Sequence, residues 1–470
     1  MNSQMAVVGL DLGTSAVKVL KRYSDGRTVK AREPYASPLP EGWWEAARRA
    51  LCRVGLGDVM AIGLASQVGT YVVDGERVVG WDSPAGSEEI DEVLALLDGP
   101  EWDREIAMRH PRILSYPLPR LLYIQRHWPD AREVCQPKDW LLRKLTGEYA
   151  TDPWSWRGLC KPPEGGYSQR LLDLAGLDGA LLPPILPPTA LVGRTLPAAC
   201  EAGEIPGGIP VYTGMNDFFA SLLGMGMDAG QIFDITGTSE HLGVIEAEYR
   251  PDGSMVNGPW LRGYAHYGVT ASSGPSLALG GRLDKVAFDC PDIDAAGALL
   301  EDMRRRRPPV FLPYLNGERA PIWNADARGC YFGLSGGCDV RDLAYSALEG
   351  VCFSLLHVYE ALGRPPAAGL RLSGGASGNP LLNLMKAELF DLPVQAVAEA
   401  DTTALGATMA AMVGLGLYGD WREAVADQCR ASGRVEPAGR WRGWLLERYG
   451  IYRRLYPALE TTMAEWRNIP

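Results

Sequence analysis

Apolar and polar positions alternate along this chain in short blocks of strand length or helical period, and two of the blocks match each other. Residues 7–20 read VVGLDLGTSAVKVL. Two apolar runs flank Asp11-Leu12-Gly13-Thr14-Ser15, the pattern of a strand, a tight glycine-containing turn and a second strand. Residues 232–245, IFDITGTSEHLGVI, repeat it about half a chain later. There Asp234-Ile235-Thr236-Gly237-Thr238-Ser239 answers to residues 11–15 with one residue inserted. A repeat at so long a spacing predicts a duplicated domain, each copy contributing one turn. Such turns line up backbone N–H groups with no internal partner, a concavity that suits an anionic oxygen.

Further apolar runs predict strands at 59–65, 209–212, 310–314 and 370–372, and a strand pair at 70–73 and 78–81 around Asp74-Gly75. Helical periodicity marks 45–53, 88–97, 118–127, 139–145, 342–357, 380–390 and 404–412. Residues 183–188 (PPILPP) form a stiff, extended connector. A last helix carries Leu445, Tyr449, Tyr452, Tyr456 and Leu459 at helical spacing, a stripe for core packing rather than for a cofactor.

Composition narrows the class. With 470 residues and 46% hydrophobic content, the chain is too long for one ordinary domain, and two of about 200–250 residues are expected. Its 55 glycines and 35 prolines are spread along it, as in a loop-rich α/β enzyme. A formal net charge of −11 disfavours nucleic acid, which needs clustered Lys and Arg to displace counterions. The one basic run, Arg304 to Arg307, reads as a solvated helix end before Pro308-Pro309. The nine cysteines are scattered with no Cys-x-x-Cys pair, which predicts reduced thiols and no structural zinc. Residues 402–419 are uncharged but rich in Gly, Ala and Thr, and read as a buried helix and a glycine turn rather than a membrane span. No signal peptide is visible, so a cytoplasmic protein without membrane attachment is expected.

The chemistry concentrates at a few turns. No Gly-x-x-x-x-Gly-Lys-Ser/Thr occurs, so the phosphate cradle is not a P-loop. The glycine turns at 13–15, 236–239 and 373–378 each follow a strand, where open α/β sheets bind ligands. The last of them opens a helix, whose first N–H groups are free for an anion; it also reads as a plain connector. In Gly214-Met215-Asn216-Asp217, the aspartate falls in a helix's first turn. Two roles stay open for it: a helix cap, or a base that takes a hydroxyl proton in phosphoryl transfer.

Several segments, in order, resemble the FGGY family of carbohydrate kinases. They are VVGLDLGTSAVKV, GMNDFFASLLGMG, FDITGTSEHLGV, LSGGASGNPLLNLMKAELFDLPV and GCYFGLSGGCDVRDLAYSALE, with PKDWLLRKLTGEYATD and PYLNGERAPIWNADARG between them. The resemblance runs nearly end to end. It implies an α/β fold of two RNase H-like (actin-like ATPase) domains with an interdomain cleft, divided as 1–225 and 226–470. It further implies ATP and Mg²⁺ as cofactors and a small sugar or polyol as substrate, most simply a ketopentose such as xylulose. A homodimer is the oligomer to test for.

By the same resemblance, Asp217 is the catalytic base and Asp11 lies by Mg²⁺. Gly13, Thr14 and Ser15 hold the β- and γ-phosphates, and Thr236, Gly237 and Thr238 close on the γ-phosphate. Gly374, Gly375 and Asn379 line the adenosine pocket. Lys18 stands where some relatives carry a basic group near the transferred phosphate, or is a strand lysine facing solvent. Gln67, Trp81, Asp82, Asn216 and Asp217 fall in the sugar-contact region, with a scaffold role open for the Trp-Asp pair. The chain departs from the family at Gly80-Trp81-Asp82-Ser83-Pro84-Ala85, which lacks the arginine of the Trp-x-Asp-x-Arg pattern. A competing expectation is a sugar- or nucleotide-binding sensor on the same fold that has lost catalysis.

Overall fold

The computed structural model describes residues 5–108, 112–161, 165–200, 203–237, 239–250, 255–261, 263–285 and 288–467. Two compact units emerge. The first takes 1–227, 258–261 and 401–430; the second takes 228–257, 262–400 and 431–470. Set beside the expected 1–225 and 226–470, the difference lies in two segments that return to the first unit. The larger of them contains Thr402–Gly414, the helix foreseen at 404–412. Its residues from Ala404 to Met412 are buried, packing in part with Val7, Ala61 and Tyr212 of the first unit's sheet, and the Thr402 hydroxyl shares a hydrogen bond with Ser221.

The first unit is built on a sheet ordered Thr28–Pro34, Ala16–Tyr23, Ala6–Leu12, Val59–Ser66, Pro210–Asn216, Leu191–Arg194. Along that order the pairings run antiparallel, antiparallel, parallel, parallel, antiparallel. The second unit's sheet has a further edge strand, Val256–Trp260, and from there runs Gly263–Thr270, Glu240–Glu246, Ile232–Thr236, Leu370–Gly374, Val394–Val397, Ala431–Val435. Its pairings repeat the same series. The sequence repeat at Asp11 and Asp234 is therefore a repeat of architecture, and both aspartates stand in the strand where antiparallel pairing gives way to parallel. Ala6–Leu12 is buried at every position, as an interior strand covered on both faces must be.

A smaller sheet of Arg77–Val79, Tyr71–Val73 and Val134–Cys135 extends the first unit. It shares an apolar cluster with Leu118, Leu121 and Leu122 of the Pro117–His127 helix. In the second unit the Val340–Ala361 helix crosses the core, started by a reciprocal cap between Asp339 and Asp342. The stripe foreseen on the last helix, Arg442–Arg467, packs as expected, with Leu445, Tyr449 and Tyr452 buried. Among the described residues seven cysteines are free, but Cys52 is disulfide-bonded, so the expectation of reduced thiols fails at that position. Spacing along a chain carries no information on such a pairing. Among the described residues no helix is long and apolar enough to cross a membrane.

Candidate functional site

Asp11 is a carboxylate in an apolar strand. Its side chain is 6% exposed and its Oδ1 has no hydrogen-bond partner. Burial pushes its carboxyl up to about 7; the Asp217 charge adds to the shift, Lys18 opposes it and Asp401 adds to it. Asp11 pairs across the strands with Lys18, so the two side chains share a face of the sheet. Lys18 is not simply solvated: its ammonium lies 3.4 Å from Asp401, whose other oxygen is 3.4 Å from Lys30. Lys30 and Asp401 are thus site neighbours that the motif pattern did not mark. The turn that follows is pinned by Tyr35, whose hydroxyl donates to the Gly13 carbonyl at 2.5 Å. Thr14 and Ser15 are left exposed at its tip.

Asp217 opens the helix Asp217–Gly224 directly after the strand Pro210–Asn216. Gly214 makes the approach possible. Its φ is +69°, and a Cβ there would stand 1.7 Å from the Leu64 carbonyl oxygen of the neighbouring strand. The helix is capped by Asn216, whose Oδ1 accepts from the Phe219 N–H at 3.0 Å while its Nδ2 donates to the Trp154 carbonyl at 2.8 Å. Asn216 is fully buried. Both ends of its amide thus hold the helix start in place, beside the sugar contact that the resemblance implies for it. The cap role considered for Asp217 thus belongs to its neighbour.

Asp217 itself is half-buried. Burial raises its carboxyl to about 6, against the Phe218 N–H, which donates to it at 2.8 Å, and the charge of Arg157. The Arg157 guanidinium lies over the rings of Tyr116, Phe218 and Phe219 at 5.5, 5.7 and 5.2 Å. No motif singled out Arg157; its only sequence signal is a charge between two tryptophans and a glycine. Asp152 shapes that segment, accepting the N–H groups of Trp154 and Ser155 at 2.9 and 3.0 Å. Asp152 is held in turn by fully buried Lys138, 3.2 Å away.

Gln67 comes to the same strand ends: its N–H donates to the Leu12 carbonyl at 3.0 Å, and the residue is buried. Trp81 and Asp82 are different. Trp81 is 43% exposed and Asp82 is exposed, so they are not a buried scaffold pair. Their loop is instead wrapped around Arg120, fully buried on the Pro117–His127 helix. Its guanidinium donates to the carbonyls of Gly80, Trp81, Ser83 and Ala85 at 3.0, 3.2, 2.9 and 2.8 Å. An arginine from another element thereby organises the loop that lacks one of its own. The Trp81 N–H donates to the Thr70 hydroxyl, joining the loop to the chain after Gln67. Arg120→Met strands four carbonyls without a donor. The expected result is a loss of about 2–4 kcal/mol in denaturant unfolding.

In the second unit, the strand Ile232–Thr236 ends beside Leu370–Gly374, with Thr236 in register with Gly374. The Thr236 hydroxyl is committed inside the protein: it donates to the Ser373 carbonyl at 3.1 Å and accepts from the Ala376 N–H at 2.9 Å. Through that hydroxyl Thr236 fastens one glycine turn to the other. Gly374 permits the fit, with φ +92° and a Cβ position only 2.0 Å from the Thr236 carbonyl oxygen. Gly237 and Gly375 lie at the two turns, while Thr238 falls outside the described residues. Asn379 caps the helix Pro380–Phe390, its Oδ1 accepting from the Leu382 N–H at 3.0 Å. Its amide nitrogen donates to the Phe288 carbonyl at 3.4 Å, so the side chain read as lining a pocket also shapes the helix start.

Two family models match the chain, one after the other. The N-terminal domain of the FGGY family of carbohydrate kinases covers residues 6–224, and the C-terminal domain of the same family covers 235–415. The chain belongs to the FGGY family of carbohydrate kinases. It is similar to a xylulose kinase of Escherichia coli strain K12, 29% identical over 411 residues, covering 78% of this chain and 82% of that one. It is also similar to a glycerol kinase of Thermus brockianus, 30% identical over 492 residues, covering 93% and 97%. Among solved structures, a ligand-bound xylulose kinase from Lactobacillus acidophilus superposes with a TM-score of 0.81 at 21% identity, over 98% of this chain and 100% of that one. The duplicated sheets described above are those of the actin-like ATPase fold. As a family member, the chain is a phosphotransferase.

Proposed function

We propose that this enzyme transfers the γ-phosphoryl group of ATP to a hydroxyl of a small sugar or polyol, with a ketopentose such as xylulose as the substrate. The observation that carries the reading is the pair Asp11 and Asp217, two carboxylates of one unit, each raised by burial, with the Asp217 charge raising Asp11 further. In the reaction, the Asp217 carboxylate takes the proton of the sugar hydroxyl as its oxygen bonds the γ-phosphorus, and the bond to the β,γ-bridging oxygen breaks. A carboxyl near 6 is largely ionised at neutral pH yet basic enough to accept that proton late in a loose transition state. Thr14, Ser15 and the turn at 13–15 of the first unit receive the β- and γ-phosphates, and the Gly237 turn is the second unit's phosphate turn. Gly374 and Gly375 border the adenosine.

Asp11 also fits a Mg²⁺ ion. Its buried, unpartnered oxygen and its raised proton affinity both describe a carboxylate short of positive charge. Among the described residues no three or more His, Cys, Asp or Glu gather as a metal cage. That suits Mg²⁺, which keeps waters and phosphate oxygens beside one or two carboxylates. When bound, it neutralises the phosphate charge that grows during transfer. An enzyme that uses ATP suits the cytoplasm, and a homodimer is the oligomer we propose to test for.

The relatives named xylulose kinase support the ketopentose, and the glycerol kinase sets the competing acceptor. ADP release across a panel of pentuloses, hexuloses, aldonates and glycerol tests the choice. The expected result is a kcat/KM for xylulose at least about tenfold above that for glycerol. Preference for glycerol or an aldonate would overturn the ketopentose assignment.

A further inference from the structure

The second unit holds a charged cluster that the transfer chemistry leaves unused. Lys386, in the Pro380–Phe390 helix, places its ammonium 2.5 Å from Asp234 and 2.9 Å from Glu240. All three side chains are buried to within 1%. They come from positions 152 and 146 residues apart. Two carboxylates against one ammonium would leave a buried negative charge, which an apolar interior disfavours strongly. Burial, and then Glu240, push the Asp234 carboxyl well above the ordinary range. One retained proton makes the cluster neutral and keeps Lys386 charged.

What the cluster joins is specific. Asp234 stands two residues before Thr236, and Glu240 follows Ser239 at once, so the two carboxylates bracket the phosphate turn. The ammonium that grips both comes from the helix that the adenosine turn opens, six residues beyond its first residue, about 9 Å along the axis. At the near end, the Thr236 hydroxyl and carbonyl already bind Ser373, Ala376 and the Gly375 N–H. Lys386 adds a second fastening deeper in the core. The strands that carry the two turns already lie side by side, so what the ammonium fixes is the neck of the phosphate turn, whose two arms carry Asp234 and Glu240.

We propose that Lys386, with Asp234 and Glu240, is a positioning device that fixes the two strand ends from which the phosphate turn leaves, in the arrangement a nucleoside triphosphate requires. The proposal rests on the ATP reading above. It separates two effects. A ligand whose phosphates reach the phosphate turn needs those strand ends held, whereas one that reaches only the adenosine turn does not. General loss of packing would weaken both ligands alike.

Calorimetric titration of the full chain with the β,γ-imido analogue of ATP and with adenosine decides it. In Lys386→Met the Kd for the analogue is expected to rise by about tenfold or more, while the Kd for adenosine stays within about twofold. Equal weakening of both ligands, or no change in either, would overturn the proposal. If Lys386→Met strands its two carboxylates and fails to fold, the triple replacement Asp234→Asn, Glu240→Gln, Lys386→Met removes every charge at once. It is expected to fold and to show the same split between ligands. Failure of the wild-type chain to bind the analogue at all would instead contradict the ATP reading, and with it the proposal.

Discussion

Asp217→Asn lowers kcat by about 10²–10⁴-fold and leaves the Kd for the ATP analogue within about twofold. Asparagine keeps the shape of the side chain and an oxygen for the Phe218 N–H, so the helix start held by Asn216 is preserved. Only the proton acceptor is lost. The wild-type rate carries the same signature in its pH profile. Because the carboxyl lies near 6, kcat/KM is expected to fall below about pH 6 as Asp217 gains its proton, and the variant loses that limb. Rapid-quench measurement of sugar phosphate alongside analogue binding checks both halves. A variant that turned over within about tenfold of wild type would place the base elsewhere.

Asp11→Asn is expected to give the opposite sign in two properties: activity falls by about 10²-fold or more, and stability rises. The sign follows from linkage. The folded carboxyl at about 7 lies above its ordinary value of 3.8, so the folded state holds the proton more tightly than the unfolded chain. Keeping Asp11 ionised therefore costs stability, increasingly between about pH 4 and 7 and fully above pH 7. Asparagine removes that cost and should stabilise the metal-free protein by about 1–2 kcal/mol at pH 8, with no gain near pH 4. Mg²⁺ should raise the wild-type melting temperature at pH 8 and leave that of the variant almost unmoved. Thermal unfolding at the two pH values, with and without Mg²⁺, reads all of this. A variant less stable than wild type at pH 8 would refute the account of Asp11 as a carboxylate awaiting a cation.

Much of the fold was legible because its period-2 apolar runs are short, strongly marked and closed by glycine turns. The repeat of Asp11 and Asp234 in sequence became a repeat of strand order and direction. Legibility ended where two roles call for the same residue type. Asn216 and Asn379 stand in motif positions and at helix starts, and a side-chain amide serves either; in both places its oxygen caps the helix. Thr236 shows the same conflict, its hydroxyl engaged by the neighbouring turn. Arg120, Arg157 and Lys386 were not legible because their partners are distant in the chain or are backbone carbonyls and aromatic faces. For Lys386 one signal existed: a lysine inside LLNLMKAELF, a helix apolar on nearly every side, cannot be buried without a carboxylate. Nothing in the one-dimensional pattern says which. The segment 401–430 went to the first unit for a related reason, since its apolar helix carries no mark of the sheet it covers.

The measurement that tests the central claim most directly is the stoichiometry of the wild-type reaction, followed by phosphorus NMR with ATP, Mg²⁺ and xylulose. One sugar phosphate should appear for each ADP, and no ADP should form when the sugar is left out. ADP and inorganic phosphate released without an acceptor, or nucleotide binding with no turnover on any sugar or polyol, would contradict it.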